Sequence, residues 1–71
     1  MEYLIVKIKG KEDEVLPVLI DGEENGFTCD KMQLDEGFVE ISVNVDGAET
    51  KEIELVNTTD EFPMEVLIDV T

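Results

Sequence analysis

Apolar residues fall at every second position through most of this chain, and no stretch sustains the spacing of a helical stripe. In residues 3–9, Leu4, Val6 and Ile8 point one way while Tyr3, Ile5, Lys7 and Lys9 point the other, which predicts a first strand. A polar turn over residues 10–14 leads into residues 15–20, a nearly continuous apolar strand interrupted by Pro17. Proline cannot donate to a ladder, so Pro17 belongs at an edge, a bulge or the strand start. Residues 21–26 contain Asp-Gly and Asn-Gly, both turn dipeptides, and read as a turn before a short strand over residues 27–29. Residues 30–37 are the least periodic part, with Met32 and Leu34 placed to plug the core.

The clearest strand covers residues 38–45, where Val39, Ile41, Val43 and Val45 alternate with Glu40, Ser42 and Asn44. A turn around Asp46-Gly47 leads to a strand ending near Val56, with Ile53 and Leu55 inward and Glu52 and Glu54 outward. Residues 57–61 form another turn. Residues 63–70 are the last strand, with Met64, Val66, Ile68 and Val70 on one face. Six to seven short, mainly antiparallel strands predict an all-β fold, a small two-layer β-sandwich or else a small barrel, over residues 1–71 as one domain.

Parity narrows the register of the central hairpin. A two-residue loop at Asp46-Gly47 sets Ile41 opposite Glu52 and mixes core and solvent faces. An odd loop restores parity. A three-residue loop pairs Ile41 with Ile53 but also Glu40 with Glu54, a like-charge pair. A five-residue loop over residues 46–50 pairs Val43 with Ile53 and Ile41 with Leu55, and is the expectation.

Charge adds to this picture. Nineteen Asp and Glu face five Lys, for a net charge of −14, yet 42% of residues are hydrophobic, which marks a folded chain rather than an acidic tail. Such a body repels nucleic acid and anionic membranes. The lysines are uneven. Lys7, Lys9 and Lys11 stand against Glu2 alone in residues 1–11, while Lys31 and Lys51 stand against eighteen acids in the remainder. The first strand is therefore an electropositive ribbon. On an edge strand, these lysines would relieve repulsion and discourage pairing with other chains.

Catalytic and metal chemistry find little purchase. Without histidine, no Ser-His or Cys-His pair forms, and Cys29, the one cysteine, allows neither an intrachain disulfide nor a zinc site by itself. Asp21, Glu23, Asn25 and Gly26 match the first half of an EF-hand loop, but its twelfth position is Met32 and its flanks read as strands, so the segment reads as a solvated turn. Cys29, with Asp30 beside it, reads as a half-buried packing residue. Asn57-Thr58-Thr59 matches a glycosylation sequon that chance accounts for. The expectation is no enzyme, no catalytic residue, no cofactor and no metal.

Several turn residues resemble a known family. Val18-Leu19-Ile20-Asp21-Gly22, Gly26-Phe27-Thr28, Leu34, Gly37, Ile41-Ser42-Val43 and Gly47 together are similar to a PEGA-type domain, over roughly residues 15–70. The motif that names the family is absent: Glu14-Val15-Leu16-Pro17 stands near its place, Cys29 replaces the proline after Thr28, and Ala48 replaces an aromatic. The resemblance implies a β-sandwich accessory module of surface-layer-like and extracytoplasmic proteins. It carries over no site.

Three functional readings follow. The first is a non-enzymatic binding or structural module acting through a protein or cell-surface partner, with Tyr3, Lys7 and Lys9 as partner-binding residues. The second is an acidic mimic of nucleic acid that inhibits a DNA- or RNA-binding protein, because alternate residues on a strand lie about 6.6–6.8 Å apart, close to two phosphate steps of one strand. The third is carbohydrate recognition, which needs at least two of Tyr3, Phe27, Phe38 and Phe62 exposed side by side. The opening residues lack the pattern of a secretory leader, and the longest apolar run is four residues, so the default expectation is a cytoplasmic protein that does not insert in membranes. A piece of a larger secreted protein would be extracytoplasmic.

Overall fold

A computed structural model describes residues 1–71, and it is all-β: β1 (Glu2–Ile8), β2 (Pro17–Ile20), β3 (Glu23–Phe27), β4 (Lys31–Leu34), β5 (Gly37–Val43), β6 (Lys51–Leu55) and β7 (Met64–Ile68). They form two sheets, of order β4-β1-β7 and β3-β2-β5-β6. All ladders are antiparallel except β1–β7, which is parallel. No helix is long and apolar enough to cross a membrane.

The alternating residues close one core between the sheets. Leu4, Val6, Ile8 and Met32 with Val66 and Ile68 come from the three-stranded sheet, and Val18, Ile20, Ile41, Val43 and Leu55 from the other. These are the every-second-residue positions of their strands, so apolar burial sets the facing of each element. Leu34, Val39, Ile53, Met64 and Val70 pack at its margin.

The structure revises four expectations about individual strands and a fifth about register. First, β1 is no edge strand: it lies between β4 and β7. Its lysines therefore stand on a sheet face, and guarding an edge cannot be their task. Second, residues 23–27, expected mostly as turn, are a strand. Asp21 and Gly22 both have positive φ, 52° and 85°, as a two-residue type I′ turn requires, and Ile20 pairs with Glu23 directly across it. Every residue of β3 is exposed, so no apolar alternation announced it. Third, residues 28–29 are not a strand. They carry the chain from β3 in one sheet to β4 in the other, Cys29 having a φ of 70°. Fourth, the least periodic stretch holds β4, in which Met32 is buried and Leu34 half-buried as expected.

The β5–β6 hairpin keeps the expected parity but not the expected register. Val39 pairs with Ile53 and Gly37 with Leu55, so Glu40 does face Glu52. The cause lies in residues 47–49, which do not close a hairpin loop but pair with the chain end. Ala48 bridges Val70, the Glu49 N–H donates to the Asp69 carbonyl at 2.9 Å, and the Thr71 N–H donates to the Gly47 carbonyl at 3.0 Å. Gly47 has a φ of 85°, and a Cβ there would collide with the Thr71 carbonyl oxygen. The two glutamates lie on the solvent side, where like-charge repulsion is weaker than the apolar burial that fixes the strand. Pro17 is the first residue of β2, beside a register shift in the β2–β3 ladder, where its missing N–H is harmless.

Candidate functional site

The two outer faces of the sandwich carry different chemistry. On the three-stranded sheet, β1 contributes the row Tyr3, Ile5 and Lys7, continued by Lys9, whose N–H donates to the Ile68 carbonyl at 2.9 Å and so extends the parallel ladder. Register places Gln33 and Lys31 of β4 beside Tyr3 and Ile5, and Glu65 and Leu67 of β7 beside Ile5 and Lys7. No further strand pairs or stacks on this face. Tyr3, Ile5 and Lys7 are half-buried, while Lys9 is exposed and Leu67 is 40% exposed. Three of the five lysines therefore share one sheet face with Tyr3, Ile5 and Leu67.

Local contacts hold these groups in place. Lys7 Nζ lies 3.8 Å from a Glu65 carboxylate oxygen, a solvent-exposed pair that contributes little stability but aligns the lysine. Lys31 Nζ stands 6.0 Å from the centre of the Tyr3 ring, donates to the Asp60 carbonyl at 3.1 Å and pairs with the Asp60 carboxylate. The β6–β7 connection is thus tied to the Tyr3 end of the face.

A second tie secures the same connection. The Thr58 N–H and hydroxyl donate to Glu2 Oε1 at 2.9 and 2.8 Å, and the Tyr3 N–H donates to Thr58 Oγ1 at 2.7 Å. The Thr58 backbone N–H, then its hydroxyl, hold the Glu2 carboxyl below the ordinary carboxylate range. Phe62, 76% exposed, rides on this connection.

The outer face of the four-stranded sheet is acidic. Glu40 of β5 faces Glu52 of β6, Glu54 lies two residues on, and Glu24 of β3 stands across Leu19. Leu19, Glu40, Ser42 and Thr50 line a shallow depression open to solvent. The Asp21 carboxylate accepts the Glu40 N–H at 2.9 Å, and Glu24 Oε2 accepts the Asn44 side-chain amide at 2.9 Å. The EF-hand-like residues are consequently split between a type I′ turn and an extended strand. Nowhere do three or more Asp, Glu or Cys side chains converge on one point.

Phe27, Phe38 and Phe62 are all exposed, and Phe27 lies far from Phe38. Phe27 pairs with Pro17, and Pro17 lies across from Asn44 through the Asn44 N–H. Phe38 is six residues further along β5, roughly 20 Å at strand rise.

Of the residues singled out from sequence, Tyr3, Lys7 and Lys9 are brought together on one face. Ile5 shares that face by its parity, as read from the sequence; sequence reading missed Lys31 and Leu67, which register adds to it, and Thr28 and Thr58, whose hydroxyls do structural work. The alternation of residues 31–34 was the only available signal for Lys31. Cys29 is half-buried, its Sγ donating to the Glu12 carbonyl at 2.9 Å. No family model, curated protein or solved structure matches the chain.

Proposed function

We propose that this chain is a non-enzymatic binding module that engages a protein partner through the outer face of its three-stranded sheet. The observation that supports this reading is the row Tyr3, Ile5, Lys7 and Lys9 on a central strand, flanked by Lys31 and Leu67, on a body of net charge −14. A central strand presents side chains rather than free peptide groups, so recognition here reads side-chain chemistry. Half-buried aromatic and aliphatic groups supply contact area, and the lysines set orientation. A partner surface of apolar residues ringed by carboxylates fits such a face. The test is crosslinking from Lys7 and Lys9 in native lysate, followed by binding of the captured protein to wild type and to Lys7→Glu/Lys9→Glu. At least a tenfold loss of affinity is expected; unchanged affinity, or no captured protein, counts against the reading.

A second reading draws on the opposite face. Glu40, Glu52 and Glu54 form an acidic array at strand spacing, about 6.6–6.8 Å between Glu52 and Glu54. An inhibitor that mimics nucleic acid would use such an array against a basic protein. It predicts binding that weakens steeply between low and high salt. Salt-independent binding, or binding unaffected by Glu52→Gln/Glu54→Gln, would remove it.

A further inference from the structure

The three-stranded sheet ends on β7, and that edge is lightly guarded. β3 carries Glu23 and Glu24, β4 carries Lys31, and β6 carries Lys51, Glu52 and Glu54, charges of the kind that keep edges from pairing. β7 reads Met-Glu-Val-Leu-Ile, with Glu65 its sole charge.

The direction of its peptide groups follows from two bonds. The Ile68 carbonyl accepts from Lys9 on the β1 side, and the Asp69 carbonyl accepts from Glu49 on the opposite side. Alternation then turns Met64, Val66 and Ile68 toward β1, and Glu65 and Leu67 toward the open edge. The N–H and C=O of Glu65 and Leu67 have no partner within the chain. Their side chains are exposed, and β1 is the one strand paired with β7. Further along the same edge, residues 47–49 already pair with residues 69–71 in antiparallel fashion. That corner leaves residues 65–67 as the open length.

These three residues are self-complementary. An antiparallel copy of β7 placed on a two-fold axis through Val66 sets Glu65 opposite Leu67 of the second copy, and Leu67 opposite its Glu65. Both are the pairs whose peptide groups face outward, so the two rungs close four backbone hydrogen bonds. The one charge of the strand meets an apolar residue instead of its twin. On the outer side, the rows of Tyr3 and Lys7 from the two copies would lie on one continuous sheet.

We propose that β7 pairs with β7 of a second copy of this chain, joining two three-stranded sheets into one of six strands. The contact is short, and each body carries −14, so the dimer is weak and gains from salt that screens the repulsion. The proposal concerns the edge peptide groups of β7, whose Leu67 side chain also flanks the docking face, and its readout is self-association, whatever that face binds.

The experiment is sedimentation equilibrium up to about 1 mM protein, at about 0.05 M and about 0.5 M salt, with circular dichroism confirming that each variant folds. Wild type should dimerise, more tightly at the higher salt. Leu67→Glu places two glutamate pairs across the axis and should raise the dissociation constant about tenfold or more. Glu65→Lys/Leu67→Glu sets each introduced lysine opposite the introduced glutamate of the second copy and should restore the dimer at the higher salt. Glu54→Lys/Leu67→Glu has the same net charge but no countercharge on the edge, and should not. A monomer at every concentration overturns the proposal. So does a dimer insensitive to Leu67→Glu, or rescue that is absent in the first double variant or equal in both.

Discussion

Thr28 is the only fully buried polar residue, and it sits where the chain passes from one sheet to the other. Its hydroxyl donates to the Glu14 carbonyl at 2.8 Å and accepts the Leu16 N–H at 2.9 Å, tying the lead-in to β2 against the β3–β4 crossing. Thr28→Val keeps the shape and removes both bonds. Each net hydrogen bond contributes about 1 kcal/mol, and a buried N–H left without an acceptor costs about 1–3 kcal/mol, so the loss should be about 2–3 kcal/mol. Thr28→Ser keeps both bonds and deletes one buried methyl, for about 1 kcal/mol. The ordering is the opposite of what hydrophobicity alone predicts. Against a total stability of about 4–10 kcal/mol for a domain of this size, the valine variant is a severe lesion, and its Tm should fall by roughly 10–20 °C. Urea unfolding followed by far-ultraviolet circular dichroism reads both variants, with an unchanged m-value confirming the same native state. A valine variant within about 0.5 kcal/mol of wild type, or a serine variant less stable than it, refutes the reasoning.

Two further perturbations probe the charges. Glu52→Lys replaces the Glu40–Glu52 like-charge pair with an opposite one and should stabilise the fold by about 0.5–1 kcal/mol in dilute buffer. Thermal melts should show that gain shrinking in high salt, and a destabilised variant would contradict the observed register. Glu2 accepts both Thr58 donors as a carboxylate, so its pKa is lower folded than unfolded. Its contribution is therefore present above the unfolded value, near 4.5, and is lost as pH falls through the lower folded value. The Tm advantage of wild type over Glu2→Gln should hold at neutral pH and vanish in that acidic window; an advantage that grows on acidification would show the sign to be wrong.

Much of the fold is visible in the alternation of oily residues, and the parts that are not have identifiable causes. Leu4, Val6 and Ile8, Ile41 and Val43, and Val66 and Ile68 are buried where their parity placed them, because a strand with one dry side must turn every second residue inward. Periodicity reports facing, not neighbours. The position of β1 between β4 and β7 depends on a parallel pairing across more than fifty residues, which no local pattern encodes. β3 has no apolar side and exists because the Asp21-Gly22 turn returns the chain along β2. The hairpin register depended on weighing one acid pair, and the demand of Gly47, Ala48 and Glu49 for partners at the chain end prevailed. The candidate face was legible as far as Tyr3, Lys7 and Lys9, one strand with one parity. Lys31 and Leu67 joined it only through long-range register.

The docking reading requires that β1 be an interior strand with its row of side chains on an open face. Residue-resolved amide hydrogen exchange tests this directly. Bonded on both sides, β1 should show protection at amides of both parities: Leu4 facing β4, and Ile5, Lys7 and Lys9 facing β7. The amides of Glu65 and Leu67 should exchange rapidly in dilute monomer. Protection confined to one parity, with Leu4 exchanging freely beside a protected Ile5 or the reverse, would make β1 an edge strand and contradict the account.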